Sequence, residues 1–156
     1  MIKIGILDGD KQEATKELLL SFITNQPIEI CDRLYQPLDI LIVNKAPLDE
    51  DISHGQMSPN IIIANSDDRQ VLQFVSPIEA QIITYGLNPK AAITASSHFD
   101  DIYVICIQRA MTTIFDVPIL PCEFSVKALK GQKGFDESVM GAVATALICG
   151  ARICSH

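Results

Sequence analysis

Tryptophan is absent from this chain, and aromatic residues make up only 6% of it. Basic residues are also in the minority: 12 Lys and Arg stand against 19 Asp and Glu, a formal charge of −7. No stretch concentrates Lys and Arg, so neither nucleic acid nor an anionic membrane is an expected partner. No apolar run approaches the roughly 18 residues that cross a bilayer. The first ten residues, MIKIGILDGD, lack the basic region and long apolar core of a signal peptide, and a cytoplasmic protein is expected. Repeats and low-complexity segments are missing, and nothing marks an internal boundary. The 156 residues therefore read as one domain, 1–156, large enough to bury a core.

Apolar residues are plentiful, at 48% of the chain with 20% charged, which excludes disorder. The five cysteines, Cys31, Cys106, Cys122, Cys149 and Cys154, are odd in number and lie mostly in apolar segments. They read as small core hydrophobes rather than disulfides. A mean hydropathy of +0.25 is high for a small domain and points to a buried interface with a protein partner or a second copy.

The chain is organised around residues 61–97. Ile61-Ile62-Ile63-Ala64 is short and β-branched enough for a buried strand. It stops at Asn65-Ser66-Asp67-Asp68, whose side chains compete for backbone hydrogen bonds. A second buried strand, Gln81 to Tyr85, is closed by Gly86. Before this stretch, Ile2 to Leu7 reads as a strand and Asp8-Gly9-Asp10 as its turn. A helix follows from about Lys11 to Thr24, with Asp10 and Glu13 in a capping-box pattern and Pro27 beyond it. Ala14, Leu18 and Phe22, with Leu19 and Ile23, form its apolar stripe. Short strands are expected at Ile28–Cys31 and Asp39–Val43, then a long polar loop from Asn44 to Asn60 with an acidic cluster at Asp49, Glu50 and Asp51.

After the central stretch, Ala91–Ser97 and Asp101–Arg109 form a hairpin around His98-Phe99-Asp100. In the second strand Ile102, Val104 and Cys106 alternate with Tyr103, Ile105 and Ile107, so both faces are expected to be covered. Val117–Val126, with Pro118 and Pro121, suits an edge strand. Lys127–Gly134 is a loop, and a last helix runs from Asp136 or Ser138 to Cys149 with Gly150 at C′. The fold class that follows is α/β: a three-layer, mostly parallel sheet with a C-terminal antiparallel meander and a closing helix.

Three pieces in this order resemble the central, ATP-binding domain of the Mur ligases and folylpolyglutamate synthases. IIIANSDDRQVL is similar to a strand ending in an Asn-x-Asp-Asp turn, QIITYGLNPKAAITAS to an Ile-Thr-Tyr-Gly segment entering a meander, and SVMGAVATALICGAR to an Ala-rich helix ending in Gly. The likeness is best over residues 61–153. It implies a Rossmann-like, P-loop-type sheet, and it lays KIGILDGDKQEATKELL on a strand, phosphate loop and helix. Here the chain departs from the family. A working loop reads G-x-x-x-x-G-K-[ST]. This one offers Asp8-Gly9-Asp10-Lys11-Gln12, shorter, with two carboxylates where a polyanion would sit and Gln12 where a hydroxyl would hold magnesium. Asn44 stands where the family has a magnesium-binding glutamate, and His54 matches no motif. The implied reading is a trimmed domain without catalytic apparatus, acting by binding a partner protein, itself, or a nucleotide-like ligand. The competing expectation is a diverged ATP-dependent ligase or ATPase completed by a partner.

No catalytic residue stands out. The resemblance implies Asn65 near an adenine, with Asp68, Lys11, Gly9 and Tyr85 as companions. The plain alternative is that Asn65 and Asp68 shape a turn and that Tyr85-Gly86 serves another. An adenine nucleotide is the one cofactor left open. His98 with Asp100 and Asp101, and Cys149 with Cys154 and His156, combine ligand types without a zinc spacing, so no metal is expected.

Overall fold

The computed structural model describes residues 1–48, 56–128 and 136–153. The chain runs β1 (Ile2–Leu7), a 3₁₀ turn (Gly9–Lys11), α1 (Gln12–Phe22), β2 (Ile28–Ile30), β3 (Pro37–Val43) and β4 (Ser58–Asn65). It continues α2 (Arg69–Val75), β5 (Gln81–Tyr85), β6 (Ile93–Phe99), β7 (Ile102–Ile107), β8 (Met111–Thr112), β9 (Pro118–Ile119), β10 (Cys122–Lys127) and α3 (Asp136–Ile148). Eight strands form one sheet in the order β10-β7-β6-β5-β4-β3-β1-β2, and β8 pairs with β9 apart from it. Pairing is parallel from β2 through to β6, then antiparallel from β6 to β7 and from β7 to β10. This is a mixed α/β, Rossmann-like fold, mostly parallel, with the meander at its far side.

The period-two pattern of each central strand separates two cores. Ile61 and Ile63, with Ile40, Ile42, Ile4 and Ile6, face α1 and α3. Ile62 and Ala64, with Leu41 and Val43, face α2. Burying each of these Ile, Leu and Val side chains contributes about 1.5–3 kcal/mol. On the second face the β2–β3 connection crosses β1, and Gly5 makes room for it. A Cβ there would lie 2.7 Å from Leu34 and 2.9 Å from Leu38.

α3 is apolar all round and accordingly buried, with Val139, Met140, Ala142, Val143, Ala144 and Ala146 fully covered. It packs on α1 and across β3 to β6. Its end is a Schellman motif: Gly150 N–H donates to Leu147 O (3.0 Å) and Ala151 N–H to Ala146 O (2.9 Å). No helix among the described residues is long and apolar enough to cross a membrane.

Several local expectations are corrected. α1 begins at Gln12, and its N-cap position, Lys11, carries no side-chain cap bond. Asp10 therefore forms no capping box with Glu13, because the chain enters the helix through a 3₁₀ turn that begins two residues earlier. The β6–β7 connection is Asp100-Asp101 alone, since Phe99 pairs with Ile102. His98 stays in the ladder and stacks on its cross-strand partner Tyr103, with centroids 4.2 Å apart. The Val117–Val126 segment is split at Pro121, which has no N–H to donate, into β9 and the sheet-edge strand β10. β7 is covered on one face only. Tyr103, Ile105 and Ile107 are buried, whereas Ile102 is 44% exposed and Val104 and Cys106 are half-buried. Ser58 to Asn60 belong to β4 rather than to a loop. The acidic cluster at Asp49, Glu50 and Asp51, His54, most of the Lys127–Gly134 loop, Cys154 and His156 lie outside the described residues.

Candidate functional site

Four adjacent parallel strands each end on a polar or phenolic side chain: β1 on Asp8, β3 on Asn44, β4 on Asn65 and β5 on Tyr85. All four are buried, between 0% and 2% exposed. Buried polar groups require partners, and these find them in one another. The Asn44 amide donates to Asp8 Oδ1 (2.7 Å), and the Tyr85 hydroxyl donates to Asn44 Oδ1 (2.6 Å). Asn65 donates to the Asn44 carbonyl (3.3 Å). From the helical layer above, the Ser138 hydroxyl of α3 donates to Asp8 Oδ2 (3.2 Å), and the Thr15 hydroxyl of α1 donates to the same oxygen. Asp8 thus ties β1, β3, α1 and α3 together. Tyr85 lies against Gly141, where a Cβ would come within 3.0 Å of its ring and hydroxyl. Burial, then the Asp8 carboxylate, raises the Tyr85 phenol well above its usual range.

Each expected site residue can now be placed. Asn65 Oδ1 accepts from Asp67 N (3.1 Å), an Asx turn, and the side chain is 2% exposed. Asp68 accepts from Gln70 N (2.9 Å) and caps α2. The turn-shaping roles of both residues are therefore present in the structure. Tyr85 is fully buried, so its ring offers no face to a stacked base. Gly9, at φ +58, and Lys11 sit in the 3₁₀ turn leading into α1.

Gly9 and Asp68 do meet, at the rim of a cleft of about 580 Å³. Leu7 and Asp10 from the end of β1, Gln12 from the start of α1, Lys45 to Leu48 after β3, and Gln70 at the start of α2 complete it. Asn65 and Tyr85 are not among its walls. Its place has a topological cause. In the strand order β2-β1-β3-β4-β5, the chain leaves β1 toward one side of the sheet and continues beyond β3 toward the other. The connections diverge between β1 and β3, opening the crevice where such sheets bind ligands. Lys45 and Asp10, of opposite charge, both line it, as do the amides of Gln12 and Gln70.

Lys45 is not legible as a site residue, because no motif contains it, and Gln70 lies within IIIANSDDRQVL without a role of its own there. Asp8, Asn44 and Gln12 are legible only as departures from a phosphate site. The available signal was four apolar strands ending alike on a hydrogen-bonding side chain.

His98 Nε2 lies 2.6 Å from the Asp100 carbonyl and so belongs to the hairpin turn. No cluster of metal-ligand types occurs among the described residues. Burial, and then the Glu123 carboxylate bonded at 3.3 Å, raise the Cys106 thiol. Burial pushes the Cys149 thiol up to about 12. No family model matches this sequence, and no curated protein matches it.

Proposed function

We propose that this chain is a non-catalytic, Mur-ligase-like domain that acts by binding, and that the crevice between β1 and β3 receives a nucleotide-like ligand. The single observation behind this reading is the division of labour at the strand ends. Asp8 and Tyr85, the titratable groups at these strand ends, are spent on the Asn44 amide between them inside the molecule. The open cleft beside them is lined by amides, apolar side chains, Lys45, Asp10 and Asp68. Such walls hold and orient a ligand, and among the described residues they contain no nucleophile paired with a base. The Asn-x-Asp-Asp turn, the Ile83-Thr84-Tyr85-Gly86 segment and the α3 sequence support the Mur-ligase likeness. Two carboxylates in the cleft disfavour a triphosphate, so adenosine and AMP should bind better than ADP and ATP.

A thermal-shift titration with adenosine, AMP, ADP and ATP, with and without magnesium, tests this. A ligand at a hundred times its dissociation constant stabilises the folded state by about 2.7 kcal/mol. In a domain of this size that is a shift of roughly 5–10 °C. Lys45→Ala and Gln12→Ala should shrink the shift. No shift with any of the four at millimolar concentration would remove the nucleotide-like ligand.

The diverged ATPase reading is favoured by one observation: Lys11 lies in the turn that carries β1 into α1, beside the cleft. It predicts binding of Mg·ATP in preference to AMP, abolished by Lys11→Ala.

A further inference from the structure

Where β3, β4 and β5 begin, at the end of the sheet away from the cleft, lies a cavity of about 390 Å³. Asp39 of β3, Asn60 and Ile61 of β4 and Gln81 of β5 form one wall. The turn between β8 and β9 brings Thr113, Ile114 and Asp116 to the other. Backbone bonds fix that turn in place. Thr113 N donates to Val117 O (2.9 Å), Asp116 N to Thr113 O (3.0 Å), and Ile114 N to Ile148 O (2.9 Å) at the end of α3.

Thr113 is 9% exposed, and its hydrogen bonding is incomplete. Its hydroxyl oxygen accepts from Phe115 N and from Val117 N, each at 3.1 Å. Two accepted bonds fill the lone pairs of a hydroxyl and leave its proton to be donated. No described residue accepts that proton, and a buried donor calls for a partner. The cavity that Thr113 lines is where an acceptor can reach it. Other walls have capacity to spare. Asp39 Oδ2 accepts from Lys3 N (2.8 Å), while its Oδ1 and the Asp116 carboxylate take no bond from a described residue. Among the described residues no Lys or Arg lines the cavity, so two carboxylates face it without a cation in the walls.

We propose that this cavity binds a small polyhydroxylated diamine of the aminocyclitol type. The carboxylates call for charged donors, which ammonium groups supply. A plain diamine would leave Thr113 unanswered, because an ammonium donates and cannot accept. A ligand hydroxyl can take the Thr113 proton, and its neighbours can bond to the Asn60 and Gln81 amides, which both donate and accept. Ile61 and Ile114 offer apolar contact to ring carbons. A phosphate or carboxylate on the ligand would be repelled by Asp39 and Asp116, which sets this site apart from the cleft between β1 and β3. Small-molecule sites run from about 300 Å³ upward, so this one suits a single ring.

Isothermal titration calorimetry on the full chain tests the proposal with 2-deoxystreptamine, a ring that carries both ammonium groups and hydroxyls. Two controls divide its chemistry: cis-1,3-diaminocyclohexane lacks the hydroxyls, and myo-inositol lacks the charges. 2-Deoxystreptamine should bind with a submillimolar dissociation constant, and each control at least about tenfold more weakly. Asp39→Asn keeps an oxygen for Lys3 N, and Asp116→Asn suits the left-handed backbone at φ 61, so circular dichroism should be unchanged in both. The first should weaken 2-deoxystreptamine about tenfold, and the second, at an exposed position, about threefold. No binding at millimolar concentration overturns the proposal and leaves the cavity to water. Binding that either substitution leaves unchanged overturns it by placing the ligand elsewhere. Binding that either control matches overturns it as well, because charge or hydroxyls alone would then account for the affinity.

Discussion

Removing one oxygen atom, by Tyr85→Phe, tests the buried strand-end network directly. The hydroxyl donates to Asn44 Oδ1 at 2.6 Å, and both residues are buried at 1% exposure or less. Phenylalanine keeps the ring against Gly141 but withdraws the donor. A buried acceptor deprived of its partner costs about 1–3 kcal/mol. For a chain of this length that lowers the melting temperature by roughly 2–12 °C. Urea unfolding should show a lower midpoint at unchanged slope, since the surface exposed on unfolding is the same. The assignment is sharpened by repeating the substitution in an Asn44→Ala background, where the acceptor is already gone. There the same change should cost under about 0.5 kcal/mol. An equal loss in both backgrounds would refute the reasoning, because it would place the effect in ring packing rather than in the hydrogen bond.

Three other outcomes follow from the same coordinates. Folding holds Tyr85 protonated, because burial and Asp8 raise its phenol well above 10, whereas the unfolded chain titrates it near 10. Above that pH the unfolded state binds fewer protons, so the stability present below pH 10 is lost as pH rises. Tyr85→Phe lacks this loss, and the stability gap between it and wild type should narrow from about pH 9 to about pH 11; a constant gap would contradict the assignment. Asp68→Ala should cost about 0.5–2 kcal/mol through loss of the α2 cap, while Asp68→Asn, an equally good cap, should cost little and remove only a cleft charge. Equal destabilisation in chemical unfolding would show that the charge, not the cap, matters. Cysteine mapping by mass spectrometry after brief thiol labelling should find Cys122 modified and Cys31 and Cys149 protected, since only the first is exposed and burial pushes Cys149 up to about 12. Early labelling of Cys149 would mean that α3 opens readily.

The sequence by itself determined the elements whose pattern is strong and local. Ile61–Ala64 and Asp39–Val43 are β-branched runs that form strands in almost any setting, and the small, apolar residues before Gly150 specify a buried helix with a left-handed stop. Their alternation with the α1 pattern carried the α/β class, and the hairpin expected around His98-Phe99-Asp100 carried the antiparallel change, which begins between β6 and β7. Tertiary structure alone decided what depends on residues distant in the chain. Asp8 is satisfied inside the fold by the Asn44 amide, 36 positions away, and the Ser138 hydroxyl, 130 positions away, as well as by Thr15; no local rule sees the two distant contacts. Whether both faces of β7 are covered depends on where the helices land, not on its own alternation of apolar residues. The strand order that opens the cleft between β1 and β3 is a property of the whole sheet. A side chain's chemistry is written in the sequence, but the neighbours that consume or expose it are chosen by packing.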